Sequence, residues 1–371
     1  MPALEIEAIQ TQAIAPYAVS ASDRLDIETA LELWGRATTA GVFNHPTWWQ
    51  AALDAFGEGR PLRVVAVHQA SVLVALWPLW VKRLGAREGF ARIIEPIGAR
   101  VTDYCMPLLA KDHDPGHLID LLMHTTVQML DAQTLLLWPK VPIAESYRDS
   151  IDQALHRPGA LLREYERPCA AMSVPKNYED LQQRWSKSHR GDVRRQIKRL
   201  RAVGRLELVQ LSNRAKIQAM LPRLYSMHSD NWRSRTGFSE LEAGPMTTFI
   251  AKLADLMPET LIDASEVRVD GVTIASHFGF RHDNTIHWYK PAFNLAWSKF
   301  APGKVHIALT AQAAVADGVD KIDFMQGTEP YKHRWSDLTT LTKSFAIARP
   351  IAYPLWAWNT SVRRFAAEYR I

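Results

Sequence analysis

The stretch Glu266-Val267-Arg268-Val269-Asp270-Gly271-Val272-Thr273-Ile274-Ala275-Ser276-His277-Phe278-Gly279-Phe280-Arg281 joins two apolar runs through Asp-Gly. Asp-Gly between apolar runs is the strongest short-range hairpin signal, because a two-residue turn of the required hand needs positive φ at both positions. The same pattern stands earlier in the chain, with Leu62–His68 as one run, Gln69-Ala70-Ser71 as the turn and Val72–Val81 as the other run. Ala75 matches Ala275 at an offset of 200. Each hairpin is followed by a Pro-Gly helix opening, Pro115-Gly116-His117-Leu118 and Pro302-Gly303-Lys304-Val305. Each helix leads to a buried-strand pattern, Leu135–Trp138 and Ile322–Met325, and both features keep an offset of 187. The chain is therefore read as a duplicated unit of antiparallel hairpin, helix and returning strand, with extra residues between Lys82 and Glu95 in the first copy. The fold class is α+β, or mixed α/β, with a mostly antiparallel mixed sheet flanked by helices in each copy.

Between the copies, Asn177–Trp185 reads as a short helix and is followed by a basic one, with Val193, Ile197 and Leu200 on one side and Arg190, Arg194, Lys198 and Arg201 on the other. Gly204 is placed as its C-cap. A further helix is expected over Ala215–Trp232, before a polar loop, Arg233–Gly244. Four segments follow: an N-terminal domain over 1–170, a basic helical connection over 171–210, a C-terminal domain over 211–350, and an amphipathic tail over 351–371 that mixes Trp356, Trp358 and Phe365 with Arg363 and Arg364.

The 371 residues carry 44 Lys plus Arg and 39 Asp plus Glu, a formal charge of +5. Arg184–Arg205 holds nine of the basic residues and one acid, Asp192, which leaves 35 basic and 38 acidic residues elsewhere. The chain is thus slightly acidic with one basic segment, unlike a protein that coats nucleic acid. A hydrophobic share of 47% excludes disorder, and two cysteines, Cys105 and Cys169, cannot build a disulfide framework or a zinc ribbon. The N-terminus lacks the basic and apolar regions of a signal peptide. The longest apolar run, Val72–Val81, has ten residues against the roughly 20 of a spanning helix. A cytoplasmic protein is expected. The 13 Trp, several beside basic residues, suggest flat surfaces to cover or rings at a wet boundary.

Common enzyme signatures are missing. Ser298 and Val305 stand where a Walker loop around Gly303-Lys304 needs glycine and Ser/Thr, and neither G-x-S-x-G nor G-x-G-x-x-G occurs. His277, His282 and His287 are spaced by five on a hairpin, a poor metal pattern, so no metal is expected. The positive signal lies between Asn284 and Trp335. A Pro-Gly loop running into a helix leaves backbone N–H groups at a positive dipole end, a seat for a pyrophosphate built from Pro302, Gly303, Lys304, Val305 and His306. Lys304 and His306 oppose the dipole unless an anion is bound; a helix that merely starts after a turn is the competing reading. Gly327, where the first copy has Lys140, permits a bulge or close backbone approach. The segment Thr328-Glu329-Pro330-Tyr331-Lys332-His333-Arg334-Trp335 then concentrates titratable and aromatic groups, which an ordinary solvated loop could also do.

Gly271 and Ala275 in the hairpin, His287-Trp288-Tyr289, Ala301-Pro302-Gly303, and Asp323-Phe324, Gly327, Glu329, Tyr331-Lys332 and Trp335 together resemble the GNAT acyltransferase branch associated with cellulose and exopolysaccharide biosynthesis (CelD-like), a relative of the FemABX peptidyltransferases. Ser186-Lys187, Arg190, Arg194-Arg195, Arg199-Leu200 and Gly204 resemble the basic element ahead of that family's C-terminal unit. The resemblance runs from about Phe43 to Pro350. It implies two tandem GNAT-like domains, the first degenerate, and acyl transfer from a thioester to an amine. The usual Gln/Arg-x-x-Gly-x-Gly/Ala pyrophosphate pattern is missing, which leaves acyl-CoA (acetyl-CoA) and an acyl-carrier protein both open as donor; no permanently bound cofactor is implied.

The step needs a base, an oxyanion donor and a pyrophosphate seat. The Pro302–His306 turn would supply the seat and a backbone N–H near Gly327 the oxyanion donor. His277, a polar residue in an apolar strand, is the first candidate base, with Asp323 and Glu329 as rivals; a satisfied structural histidine is the competing reading. Tyr331 and Lys332 match the family's Tyr-Lys pair and would bind substrate phosphate or stabilise the leaving group. Trp288 and Tyr289 would line a sugar or acyl pocket, against core packing as the alternative, and Arg190, Arg194 and Trp335 complete the expected substrate-binding set. The expected acceptor is an amino sugar, free or lipid-linked, of an envelope polysaccharide. A lipid amine at the inner face of an anionic membrane is the second reading. Nucleic acid, gripped by the basic helix, is the third, and one helix without an aromatic platform makes it the weakest.

Overall fold

The structure, a computed structural model, describes residues 12–14, 16–85, 91–131, 133–142, 148–155, 161–242, 244–327 and 329–348. The tail read over 351–371 lies outside the described residues. The chain divides into two units, one from residues up to Arg167 together with those from Leu341, the other from Pro168 to Thr340. The basic segment, read as a separate connection over 171–210, therefore falls inside the second unit, and residues from Leu341 belong with the first.

In the first unit, β1 (Gln12–Ile14), β2 (Tyr17–Ser22), α1 (Ile27–Gly35) and α2 (Pro46–Phe56) lead into the hairpin β3 (Leu62–Gln69) and β4 (Val72–Arg83). There follow β5 (Arg92–Pro96), β6 (Leu108–Leu109), α3 (Pro115–Gln128), β7 (Thr134–Pro142) and α4 (Arg148–Leu155). The sheet runs β1-β2-β3-β4-β5-β7 and continues to the last described strand, β14 (Leu338–Ala348), whose Thr342–Ile347 pairs antiparallel with β7.

The second unit opens on β8 (Leu161–Ser173), α5 (Tyr178–Arg184), the basic helix α6 (Lys187–Arg201), β9 (Leu206–Gln210), α7 (Arg214–Thr236) and α8 (Pro245–Leu256). It continues with β10 (Ile262–Val269), β11 (Val272–His282), β12 (Thr285–Phe293), α9 (Pro302–Ala316), β13 (Lys321–Gln326) and α10 (Lys332–Trp335), and its sheet runs β8-β13-β12-β11-β10-β9.

The two hairpins share one register. Val67 pairs with Ala75 and Val267 with Ala275, and in both the ladder slips at the next residue. Asp270 and Gly271 take φ of 48° and 79°, and Ala70 and Ser71 take 47° and 70°. Aspartate and glycine tolerate that left-handed pair, whereas alanine and serine hold it under strain. Each copy also contains a third strand that the sequence pattern did not separate. β5 pairs antiparallel with β4 and parallel with β7, and β12 pairs antiparallel with β11 and parallel with β13. The residues after Lys82 that looked like an insertion thus include this strand. Both mixed sheets are flanked by helices, as the pattern requires.

α6 is amphipathic as expected, with Val193 and Leu200 buried and Ile197 half-buried, while Arg194, Lys198 and Arg201 are exposed. Its C-cap is Ala202, not Gly204. Gly204 is small for another reason: a Cβ there would overlap the Asp270 carboxylate, which accepts the Arg205 N–H at 2.8 Å. α7 extends to Thr236 through the first residues of the expected loop, and Gly237 caps it at φ 76°. Under α9, the core joins Trp185, Val193, Trp288, Ile307, Ala311, Phe324 and Trp335. A second cluster joins Leu200, Val267, Ala275, Phe300 and Val305.

Gly279 sits where a Cβ would overlap the His287 carbonyl and the His277 ring. A methyl group forced into a filled core costs about 1–3 kcal/mol. Gly279→Ala is expected to lower unfolding stability by that amount in urea titrations, whereas Gly303→Ala, whose Cβ would meet only Phe293 Cδ1 at 3.5 Å, stays near wild type.

Candidate functional site

β12 and β13 pair in parallel at Thr285–Lys321, Ile286–Ile322 and His287–Asp323, and among the described residues at no later position. Beyond these, β12 stays with β11, through Lys290–Phe278 to Phe293–Ala275, while Gln326 of β13 pairs with Cys169 of β8. Parallel strands that part in this way leave two facing backbone edges without a ladder between them, which an extended ligand can enter. The end of β13 bulges for a local reason. Asp323 Oδ1 accepts the N–H of Met325 at 2.7 Å, and Met325 takes φ 58°, so β13 bulges. Gly327 follows at φ 143°, and a Cβ on it would overlap both Glu329 and Lys332. Glycine suits this position because side chains rarely adopt such a positive φ.

That pair lies at the end of the opening. Lys332, 5% exposed, donates to the Gln326 carbonyl at 2.8 Å and meets Glu329 Oε2 at 3.0 Å. The Glu329 side chain remains 46% exposed. Tyr331 is half-buried with its ring 6.4 Å from Phe324, and burial, reinforced by the Glu329 charge, pushes its phenol well above the ordinary range, so it keeps its proton. Gln326 Nε2 is buried without a hydrogen-bond partner.

α9 starts from Ala301 at φ 49° with no side-chain cap, and the N–H groups of Lys304 and Val305 bond to the Ala301 carbonyl. Lys304 is ion-paired with Asp192 of α6. Val305 and His306 turn inward: Val305 packs against Leu200, Val267 and Ala275, and His306 Nε2 lies 2.8 Å from Ser265 Oγ. His277 is fully buried, stacked on Trp288 at 3.7 Å and 12°, with Nδ1 3.5 Å from Asp263 and neither ring nitrogen hydrogen-bonded. His306 stands 5.1 Å from Trp288 and 6.2 Å from His277, so His277, Trp288 and His306 form one cluster beneath α9. Asp323 Oδ2 stands 4.0 Å from His287 Nδ1. Tyr289 lies 5.6 Å from Phe280 with Lys290 over its ring, and Trp335 packs edge-on against Trp185 and His189. Arg190 and Arg194 both bond to Gln182 of α5.

The site thus gathers Gly327, Glu329, Tyr331 and Lys332 at the end of β13, with Gly303 and Lys304 at the head of α9. Residues the pattern did not single out are His189, Trp185 and Gln326. Asp192 was visible as the lone acid in the basic segment, but its partner Lys304 lies 112 positions away.

The equivalent opening of the first unit is filled. β5 and β7 also pair at three positions, Arg92–Thr134, Ile93–Leu135 and Ile94–Leu136. Residues 102–105 then bind across β7: Trp138 Nε1 donates to the Cys105 carbonyl (2.7 Å), the Cys105 N–H to the Lys140 carbonyl (3.0 Å), and Lys140 Nζ to the Thr102 carbonyl (2.8 Å). Trp48 Nε1 closes the set on Thr102 Oγ1 at 2.9 Å. Lys140, at φ 54°, stands where the second unit has Gly327, and burial pushes the Cys105 thiol up to about 12.

Residues 187–333 match the acetyltransferase (GNAT) domain family. This segment is an acyltransferase domain. Its first residue is that of α6, so the basic helix is part of the domain. No curated protein matches the chain. Among solved structures, FemX is 11% identical over 88% of this chain and 96% of its own, with a TM-score of 0.59. A conserved protein of unknown function from Bacteroides thetaiotaomicron VPI-5482 is 13% identical over 89% and 99%, with a TM-score of 0.57. The C-terminal DUF2156 domain of a putative lysylphosphatidylglycerol synthetase from Agrobacterium fabrum is 10% identical over 92% and 95%, with a TM-score of 0.54. These three share the fold. Among the described residues no cluster of metal-ligating side chains occurs, and no helix is long and apolar enough to cross a membrane.

Burial lowers the basicity of His287 to about 3, with Lys321 and His282 adding to the effect, and of His228 to about 4. Both rings are neutral in the fold, while the unfolded chain binds their protons below about pH 6.5. Stability present above that pH is therefore lost as pH falls towards the folded values. Each ring removes up to about 1.4 kcal/mol per pH unit. Urea unfolding at about pH 7 and about pH 5 should show a loss of about 2 kcal/mol from His287, and His287→Gln should flatten the dependence by that amount.

Proposed function

We propose that the acyltransferase domain moves an acyl group from acyl-CoA, with acetyl-CoA as the simplest donor, to the amine of an amino sugar in an envelope-polysaccharide or lipid-linked precursor, in the cytoplasm. The observation that carries this reading is the parting of β12 and β13 within the segment that matches the GNAT family. The CelD-like resemblance of Gly303, Gly327 and Tyr331-Lys332 supports the acceptor class.

In this reading the donor's pantetheine arm lies along the free edge of β12. Its pyrophosphate meets the Gly303 N–H and Lys304, and a backbone N–H of the bulge near Gly327 faces the thioester oxygen. Glu329 takes the ammonium proton of the acceptor, because its carboxylate is open to solvent. His277 is enclosed beneath α9, and Asp323 spends one oxygen on Met325, so both suit structural roles better. The amine nitrogen then attacks the thioester carbon, the C–S bond breaks as the sulfur takes the phenol proton of Tyr331, and the excess proton left on the nitrogen passes back to that phenol, which burial keeps protonated. Lys332 holds the β13 terminus and Glu329 in place. The first unit, its opening filled by its own chain, offers no donor seat.

A lipid amine at an anionic membrane is the second reading. It is favoured by the exposed side of α6, where Lys187, Arg194, Arg195, Lys198 and Arg201 lie near Val203 and Val272, each about half exposed. Flotation with vesicles of anionic and of neutral lipid tests it, and equal recovery on both removes it. A nucleic-acid ligand for α6 ranks below both readings.

Thioester turnover should depend on an amine and release CoA, and Lys332→Ala should reduce it about tenfold or more without lowering the melting temperature to match. Wild-type protein that turns over none of a panel of acyl-CoA and acyl-carrier donors overturns the reading. Titration calorimetry should count one donor per chain, and a second equivalent would show that the first unit keeps a seat.

A further inference from the structure

A row of polar contacts runs from the head of α9 along one side of α6. Lys304 is ion-paired with Asp192, Gln196 Nε2 donates to Asp192 Oδ1 at 3.5 Å, and Gln196 Oε1 accepts from Arg199 Nη1 at 2.9 Å. Positions 192, 196 and 199 share one helical face, and the row spans about 10 Å. It ends against the turn that opens α9, where Arg199 Nη1 also donates to the Lys299 carbonyl at 2.9 Å. The Arg199 guanidinium carbon lies 4.9 Å and the Lys299 ammonium 5.1 Å from the ring centroid of Phe300, which joins Leu200 and Val305 in one core cluster. The guanidinium is thus fixed through one nitrogen and one face. Its Nε and Nη2, the edge that meets a phosphate bidentately, have no hydrogen-bond partner among the described residues. Both Arg199 and Lys299 are exposed, and among the described residues neither pairs with a carboxylate.

We propose that Arg199 and Lys299 form a second phosphate subsite of the donor seat, which takes the 3′-phosphate on the ribose of coenzyme A. This rests on the reading that α9 seats the donor's pyrophosphate. In coenzyme A a single ribose separates the pyrophosphate from the 3′-phosphate, a span that the row on α6 covers. The 3′-phosphate is a monoester and mostly dianionic at neutral pH. The unused edge of Arg199 offers it two parallel charge-assisted hydrogen bonds, and Lys299 adds a point charge. Because Gln196, the Lys299 carbonyl and Phe300 hold the guanidinium before any donor arrives, little side-chain freedom is lost on binding. A pantetheine carried on a protein lacks the adenosine and its phosphate. The domain therefore prefers acyl-CoA to carrier-bound thioesters, and the preference resides outside the pyrophosphate contacts.

The test is calorimetric binding of two probes, CoA and 3′-dephospho-CoA, to wild-type protein and to Arg199→Gln, Lys299→Gln and Lys198→Gln. Wild type should bind CoA roughly tenfold tighter than dephospho-CoA, the gain from a charge-assisted contact. Arg199→Gln and Lys299→Gln should each weaken CoA by about threefold or more and leave dephospho-CoA within about twofold, which narrows the preference. Lys198→Gln, exposed on α6 but outside the row, should keep it. Equal binding of the two probes by wild type overturns the proposal without calling on any variant. So does a parallel loss of both probes in Arg199→Gln and Lys299→Gln, since these residues would then only support the fold of the seat. An equal narrowing in Lys198→Gln also overturns it, because net charge alone would then be acting. Wild type that binds neither probe overturns the donor-seat reading itself, and the proposal falls with it.

Discussion

A single hydrogen bond, from the Met325 N–H to the carboxylate of Asp323, shapes the end of β13 in the second unit. Met325 takes positive φ beside it, and the β13 ladder with β8 shifts register between Asp323 and Gln326, just past the three residues paired with β12. A parallel ladder that continued would spend its backbone groups on itself; one that stops leaves them for a ligand. The bulge leads into Gly327 and the Glu329–Lys332 pair, and β12 ends at Phe293 and is followed by residues 294–301 and then α9.

The first unit shows what the same architecture does without that freedom. Its strands part at the equivalent place, but two indole N–H groups, the Lys140 ammonium and the backbone of Cys105 bond across the opening. Buried donors and acceptors satisfied in this way cost about 1–3 kcal/mol each to release, so a ligand could enter only at a prohibitive sum. Duplication has thus kept the scaffold in both copies and an open edge in one.

The hairpins were legible in the chain because both period and turn chemistry act locally. Val67–Ala75 and Val267–Ala275 keep one register across an offset of 200, and Asp-Gly is suited to its turn. The third strand of each copy was not legible, since β5 and β12 lie where charged and polar residues interrupt the apolar pattern. Gly204 read as a helix cap because glycine is common there, whereas its smallness serves the Asp270 side chain. Among the candidate residues, Tyr331 and Lys332 stood out by the density of titratable and aromatic groups in Thr328–Trp335, and Gly327 by its place at the end of the strand. His277 drew attention as a polar residue in an apolar strand, and the fold packs its ring in a buried cluster with Trp288 and His306.

The sequence alone determined the repeated hairpins, the mixed sheets and the amphipathic basic helix. Each of these depends on neighbours a few residues apart, whose spacing is written in the chain. Only the tertiary structure decided that Asp192 of α6 pairs with Lys304 of α9, 112 positions away, and that His306 faces the sheet. It also decided which of the two openings is filled. Those outcomes turn on which side chains meet through space, and charge and hydrogen bonding act over a few ångströms whatever the distance along the chain.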